Sequence, residues 1–309
     1  MNKKEKRILE FIKNNNIENP IYNLDNEEEI IYKQLYNKIG LNYDGLLKSY
    51  LLESQTKGFP YPTYNNLNKD LSHLYNTNNI DNAGMRIVKN FHKSIWYANR
   101  YKHLSPYDAW YDLEIMGKCI KNRFIYKGFN LSLDNIRYGL TTSKLAPKVS
   151  VFKPSLAKYL IKKYLNEFGT IFDPCSGYSG RLLGAYVLGK KYIGQDINQT
   201  VINESNELIK YFDIKNVMLK NKNSLNTSGE YECLFTCSPY ANKENWGQSI
   251  EELTCDEWIE ICLNNYKCKS YLFIVDGTTK FKQYIVEEIT NKSNFGTNKE
   301  YVVMIKGSL

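Results

Sequence analysis

Three observations predict an open, mostly parallel α/β sheet with helices on both faces, preceded by a mainly helical segment. Beyond residue 150, short runs rich in β-branched and aromatic residues alternate with amphipathic stretches of helical length, the pattern from which parallel sheets are built. Residues 1–140 carry apolar positions at helical spacing, separated by breaks rich in Asn, Tyr and Gly. The 309 residues, 42% hydrophobic and 24% charged, supply ample core for two domains. The change of texture divides them into residues 1–145 and 146–309.

In the first part, residues 3–14 and 28–38 read as helices, the second because Ile30, Ile31, Leu35 and Tyr36 recur at helical spacing. Gly58-Phe59-Pro60-Tyr61-Pro62 is a breaker. Helical patterns resume at 67–75, at 84–98 and, after the Ser105-Pro106 start signal, at 107–120. Residues 140–150 read as a linker. In the second part, 155–166 is an amphipathic helix, and 170–172 a strand running into Asp173-Pro174-Cys175-Ser176-Gly177-Tyr178-Ser179-Gly180. A helix over 181–188 leads to a strand at 192–196 that ends in Asp196. Helix 200–212, strands 216–219 and 232–235, helix 250–264, strand 271–275, helix 281–289 and a closing strand 301–305 complete the order.

The net charge of +8 is unevenly divided: 22 Lys and Arg stand against 15 Asp and Glu over residues 1–150, but 19 against 18 over 151–309. A basic, aromatic-rich part beside a near-neutral one suits a polyanion-binding segment joined to something else. The seven cysteines (Cys119, Cys175, Cys233, Cys237, Cys255, Cys262, Cys268) are scattered, with no C-x-x-C pair. His73, His92 and His103 lie far from six of them, so reduced thiols and no metal are expected. No run approaches the roughly 20 apolar residues of a membrane span. The basic start leads into an ordinary amphipathic run and not a secretion signal. The expected setting is the cytoplasm of a bacterial or virus-infected cell, without a membrane partner.

In sheets of this kind, ligands bind beyond the carboxyl ends of the strands, near the switch in strand order. The segment from Asp173 to Gly180 sits where the first strand meets the first helix. Gly177 and Gly180 let the backbone turn tightly and approach a bound molecule. Asp196, at the end of the second strand, is placed to accept hydrogen bonds from ribose hydroxyls. Glycines after strand one and an acid after strand two form the logic of an adenosine-containing cofactor site. Neither the G-x-G-x-x-G nor the G-x-x-x-x-G-K-[ST] spacing is present.

With Phe152-Lys153-Pro154 before the first strand, Asp173-Pro174-Cys175-Ser176-Gly177-Tyr178-Ser179-Gly180 after it, Asp196 after the second, and Cys237-Ser238-Pro239-Tyr240 after the fourth, residues 150–309 resemble the S-adenosylmethionine-dependent DNA amino-methyltransferases. That family carries F-x-P, D-P-x-x-G-x-G, an acid and [D/N/S]-P-P-[Y/F/W] in the same order. The resemblance implies a Rossmann-like seven-stranded methyltransferase sheet and S-adenosylmethionine as cofactor. It implies that Asp173, Pro174, Cys175 and Gly177 face the methionine portion, that Asp196 holds the ribose with Ile197 beside the adenine, and that Phe152, Lys153 and Pro154 close over the methionine end. Cys237, Ser238, Pro239 and Tyr240 would hold the base being methylated, adenine N6 in preference to cytosine N4. A base must leave the duplex to present its amino group, and Tyr240 would stack on it.

The chain departs from the family at Cys237 and Ser238, where an acceptor residue and a proline are usual. A thiol accepts weakly, so the Ser238 hydroxyl and backbone carbonyls would bind the amine. C5-cytosine chemistry needs a cysteine after a proline. The single Pro-Cys pair, Pro174-Cys175, is in the cofactor loop, so that chemistry is not expected. Asn223, Ser224 and Asp276 could line the cleft, or serve only a polar loop and a turn.

Residues after Tyr240 are nearly all taken by the last elements of the sheet, so recognition of DNA is expected N-terminally. Arg86, Lys89, Lys93, Arg100 and Lys102 interleave with Phe91, His92, Trp96, Tyr97 and Tyr101, and Lys118, Lys121, Arg123, Lys127 and Arg137 follow. Cations so spaced suit phosphates and the aromatics suit unpaired bases. They equally suit a core with a solvated lysine face. The expected function is site-specific DNA modification. The alternatives are a methyltransferase acting on RNA and a catalytically silent nucleic-acid-binding protein; oligomeric state and any partner nuclease are left open.

Overall fold

The computed structural model describes residues 43–100, 103–127, 131–237, 244–245, 253–276, 279–293 and 296–307. The helices expected over 3–14 and 28–38 lie outside the described residues. In chain order, the helices are α1 (Tyr43–Lys57), α2 (Leu67–Asn76), α3 (Met85–Phe91), α4 (Pro106–Tyr111) and α5 (Leu113–Lys127). They continue with α6 (Leu133–Thr142), α7 (Pro154–Tyr164), α8 (Gly180–Tyr186), α9 (Gln199–Tyr211) and α10 (Cys255–Asn265). The large sheet comprises β1 (Thr170–Asp173), β2 (Lys191–Asp196), β3 (Val217–Asn221), β4 (Gly229–Cys237), β5 (Tyr266–Asp276), β6 (Ile285–Ser293) and β7 (Gly296–Lys306).

Two compact units divide the chain: Met1–Pro62 with Trp96–Val149, and Thr63–Ile95 with Ser150–Leu309. The expected boundary at 145/146 falls near the last of the three crossings, between Val149 and Ser150. The segment 63–95, however, belongs with the sheet, because its polar groups are satisfied there. The Lys158 ammonium on α7 donates to the carbonyls of Leu74, Tyr75 and Thr77 at 2.9, 2.7 and 2.7 Å, which answers the free carbonyls ending α2. Ser155 Oγ donates to the Asp81 carbonyl at 2.7 Å and accepts from the Asp81 amide.

The first unit packs α1, α4, α5 and α6 around Trp110, Met116, Phe124, Ile136 and Leu140, all buried. The helix expected over 107–120 breaks at Asp112, whose carboxylate accepts from the Ile115 amide at 2.9 Å and starts α5 afresh. The expected linker at 140–150 begins as the end of α6, and Ala146 and Val149 are buried.

In the second unit the seven strands lie in the order β3-β2-β1-β4-β5-β7-β6. Neighbours from β3 to β5 are parallel, and β7 runs antiparallel between β5 and β6. This is a Rossmann-like, seven-stranded mixed sheet, with Phe172, Leu234, Phe273 and Val303 in its core. The helix expected over 281–289 is instead a single 3-10 turn, Lys282–Tyr284, followed by β6. Residues 285–289 alternate between inward and exposed positions, the period of a strand. The helix expected over 84–98 ends at Phe91 and is followed by a 3-10 turn, Lys93–Trp96.

Lys158→Met removes the cation and leaves three carbonyls without their donor. We expect a loss of about 3 kcal/mol in denaturant unfolding; an unchanged midpoint would show that α2 does not depend on this contact.

Candidate functional site

β1 lies between β2 and β4, so the chain direction across the sheet switches at its end, where a cleft is expected. Asp173 closes β1 and is fully buried. Its Oδ2 accepts from Arg181 Nε and from Tyr192 OH, both at 2.6 Å, and its Oδ1 from the Cys175 amide at 3.2 Å. Burial works against the Arg181 charge, but Asp173 outweighs it and holds the guanidinium protonated. Burial and the Asp173 charge push the Tyr192 phenol well up, so it remains a donor. Asp173 is therefore spent on fixing the loop. What this carboxylate leaves for a ligand is the loop's backbone and hydroxyls.

The loop is compact for reasons of local geometry. Gly177 has φ 54° and Ser179 φ 61°, ψ 10°; the latter costs a non-glycine residue about 1–2 kcal/mol. A Cβ on Gly180 would meet the Phe152 carbonyl oxygen at 2.1 Å, so only glycine admits that approach. Phe152 is held further by its ring lying 5.1 Å from the Arg181 guanidinium and 5.9 Å from Phe235. Lys153 caps α7 and Pro154 begins it. Phe152 and the glycine loop thus come together at Gly180.

At the end of β2, Asp196 Oδ2 accepts from the Gly177 amide and Oδ1 from the Asn198 amide, both at 2.9 Å. Burial pushes its carboxyl up from the ordinary aspartate value, against the lowering pull of those two amides. Asn221 donates to the carbonyls of Asp196 and Ile197 at 3.0 and 2.8 Å and pins the turn in which Ile197 sits. The Ser176 amide donates to the Gln195 carbonyl at 2.7 Å, while its buried hydroxyl has no hydrogen-bond partner among the described residues. The Cys175 thiol is pushed well up by burial and by the carboxylates of Asp196 and Asp173, which keeps it neutral.

Cys237 ends β4, half-buried and paired in register with Ile274. Ser238, Pro239 and Tyr240 lie outside the described residues. Between β3 and β4, Asn223 caps the 3-10 turn Ser224–Asn226, accepting from the Leu225 amide at 3.0 Å, and Ser224 donates to the Pro174 carbonyl.

The basic N-terminal residues are divided between the two units. Arg86, Lys89 and Lys93 belong to the unit of the sheet, and Arg100, Lys118, Lys121, Arg123, Lys127 and Arg137 to the other; Tyr101 and Lys102 lie outside the described residues. Arg123 is 2% exposed, packed where Gly139 leaves it room. Arg137 pairs with Asp134 at 2.8 Å, donates to the Pro60 carbonyl and stacks on Trp96. Trp96 and His92 are buried as well. Burial turns Arg123, Trp96 and His92 inward, while the half-buried Arg137 spends its guanidinium on Asp134 and the Pro60 carbonyl. Arg86, Lys93, Lys127 and the half-exposed Tyr97 face solvent.

Sequence reasoning missed Arg181, Tyr192, Asn221 and Ser176. An arginine followed by Leu-Leu in a helix looks like a surface residue, and only its i−8 partner Asp173 explains it.

No protein-family model matches the chain, and no curated protein matches it. Among solved structures, the magnesium protoporphyrin IX methyltransferase of Synechocystis, determined with bound SAH, is 8% identical with a TM-score of 0.39, over 50% of this chain and 80% of that one. TehB of Haemophilus influenzae is 10% identical with a TM-score of 0.38, over 55% and 66%. The 16S rRNA N2 G1207 methyltransferase of Thermus thermophilus, in complex with AdoMet and guanosine, is 11% identical with a TM-score of 0.37, over 53% and 44%.

Arg181→Leu strands a buried carboxylate and is expected to cost about 3–5 kcal/mol in chemical unfolding. Arg181→Lys should cost less, keeping the charge but not the fork. Equal stability of Arg181→Leu and wild type would show that the pair does not hold the loop.

Proposed function

We propose that this chain transfers a methyl group from S-adenosylmethionine to an exocyclic amino group of a DNA base, adenine N6 in preference to cytosine N4. The observation that carries the reading is the joint between the two strand ends: the Gly177 amide of the loop after β1 bonded to the Asp196 carboxylate after β2. Two features fit an adenosine-bearing cofactor. Asp196, 9% exposed, spends one lone pair of each oxygen on its own backbone and retains others for a pair of hydroxyls. Ser176 offers a buried hydroxyl without a partner among the described residues.

Asp196 binds the ribose, with Ile197 against the adenine. The loop amides from Cys175 to Gly177 and the Phe152-Lys153-Pro154 segment hold the methionine end. When bound, S-adenosylmethionine would supply the methyl group from its positively charged sulfur to the amine nitrogen, with S-adenosylhomocysteine as the leaving group and the nitrogen's proton passing to solvent. Tyr240 stacks on the flipped base, and Ser238 with neighbouring carbonyls accepts from its amino group, aiming the lone pair. The chain's contribution is positioning and the stabilisation of a nitrogen that becomes cationic. Solvent-facing Arg86, Lys93 and Lys127 grip phosphates.

Methyl transfer from radiolabelled S-adenosylmethionine to unmethylated DNA, followed by nucleoside analysis, should yield N6-methyladenine or N4-methylcytosine. Label in RNA alone would replace the substrate. Cofactor binding without product would make the chain a binding protein, an outcome for which the Cys237-Ser238 departure gives a reason. Tyr240→Ala should bind cofactor normally and lose most transfer; undiminished transfer would remove the stacking role.

The raised Asp196 carboxyl sets a pH dependence. Its neutral form appears at higher pH than that of an exposed aspartate, and a neutral carboxyl loses acceptor capacity. Affinity for S-adenosylhomocysteine should therefore begin to fall, as pH is lowered, above the usual aspartate range. Affinity that stays constant down to that range would contradict the role of Asp196.

A further inference from the structure

A buried chain of polar groups connects the segment before the sheet to the glycine loop. His92, which caps α3, is 0% exposed. Its Nε2 lies 2.9 Å from Ser179 Oγ and its Nδ1 3.2 Å from Glu204 Oε2 on α9. A carboxylate only accepts, so Nδ1 carries a proton and donates. Ser94 holds Glu204 from the other side, its amide donating to Oε1 at 2.9 Å and its hydroxyl to Oε2. Ser179 Oγ is shared with Ser205 Oγ, 2.8 Å away.

Serine, histidine and acid in this order match the geometry of a hydrolytic triad. Ser179 is 1% exposed, and an oxygen so enclosed cannot meet an acyl substrate. The array acts as a brace instead. Ser179 has left-handed backbone without being glycine. It stands between Gly177, whose amide meets Asp196, and Gly180, which lies under the Phe152 carbonyl. The hydrogen bonds of its side chain oppose relaxation of that conformation.

We infer that His92 is a positioning residue for the cofactor loop: through Ser179 it holds the backbone between Gly177 and Gly180 in the form that receives S-adenosylmethionine. A residue outside the sheet thereby sets cofactor affinity. The inference rests on the reading of this loop as the cofactor site.

Calorimetric titration of the full chain with S-adenosylhomocysteine tests it. His92→Leu should weaken binding about tenfold, the equivalent of one lost hydrogen bond of the stronger kind. His92→Gln, whose amide reaches the place of Nε2, should recover part of the affinity. In a Ser179→Gly background, where the left-handed backbone needs no brace, His92→Leu should weaken binding no further. Core packing alone would lower Tm without this pattern. Wild-type affinity in His92→Leu, or in Ser179→Ala should His92→Leu not fold, overturns the inference while leaving the site reading intact. A wild-type chain that binds no S-adenosylhomocysteine overturns both.

Discussion

The buried pair of Asp173 and Arg181 is the contact on which the rest of the site depends. Two opposite charges taken out of water demand full mutual satisfaction, and the chain supplies it. The guanidinium spans Asp173, the Cys175 carbonyl and the Phe152 ring, while Tyr192 completes the carboxylate. One ion pair thus ties the end of β1, the start of α8, the start of β2 and the segment before α7. The loop between Asp173 and Gly180 has little conformational choice left.

That commitment decides which acid keeps acceptor capacity to spare. With the Asp173 oxygens occupied, the free acceptor capacity lies at Asp196, one strand over. Asp196 is buried enough to be costly as an anion and is held charged by two backbone amides. A carboxylate kept in such a place at a cost to folding is a mark of a binding site. Parallel packing of β1, β2 and β4 brings the ends of all three strands to one edge of the sheet.

The sheet was largely legible in the sequence because buried parallel strands are short apolar runs between turn residues, and 170–172, 192–196 and 232–235 are such runs. Gly177, Gly180 and Asp196 were legible because turns and strand ends restrict residue type. β6 was not. Ile285, Val286 and Ile289 satisfy helical spacing as well as alternation, and only pairing with β7 decides between them. Nor was the placement of 63–95, which depends on contacts such as that of Lys158 with Thr77, 81 residues apart. Arg123 and Arg137 look like phosphate contacts along the chain. Only the room left by Gly139 shows Arg123 to be interior, and only the face of Trp96 shows Arg137 engaged within the fold.

The central claim is that the glycine loop and Asp196 form an S-adenosylmethionine site. A crystal structure of the chain grown with S-adenosylhomocysteine tests it most directly. The geometry predicts the ribose hydroxyls within hydrogen-bond distance of Asp196 and the amino-acid end against the Cys175–Gly177 backbone. A ligand bound elsewhere, or a loop that remains empty at saturating ligand, would contradict it.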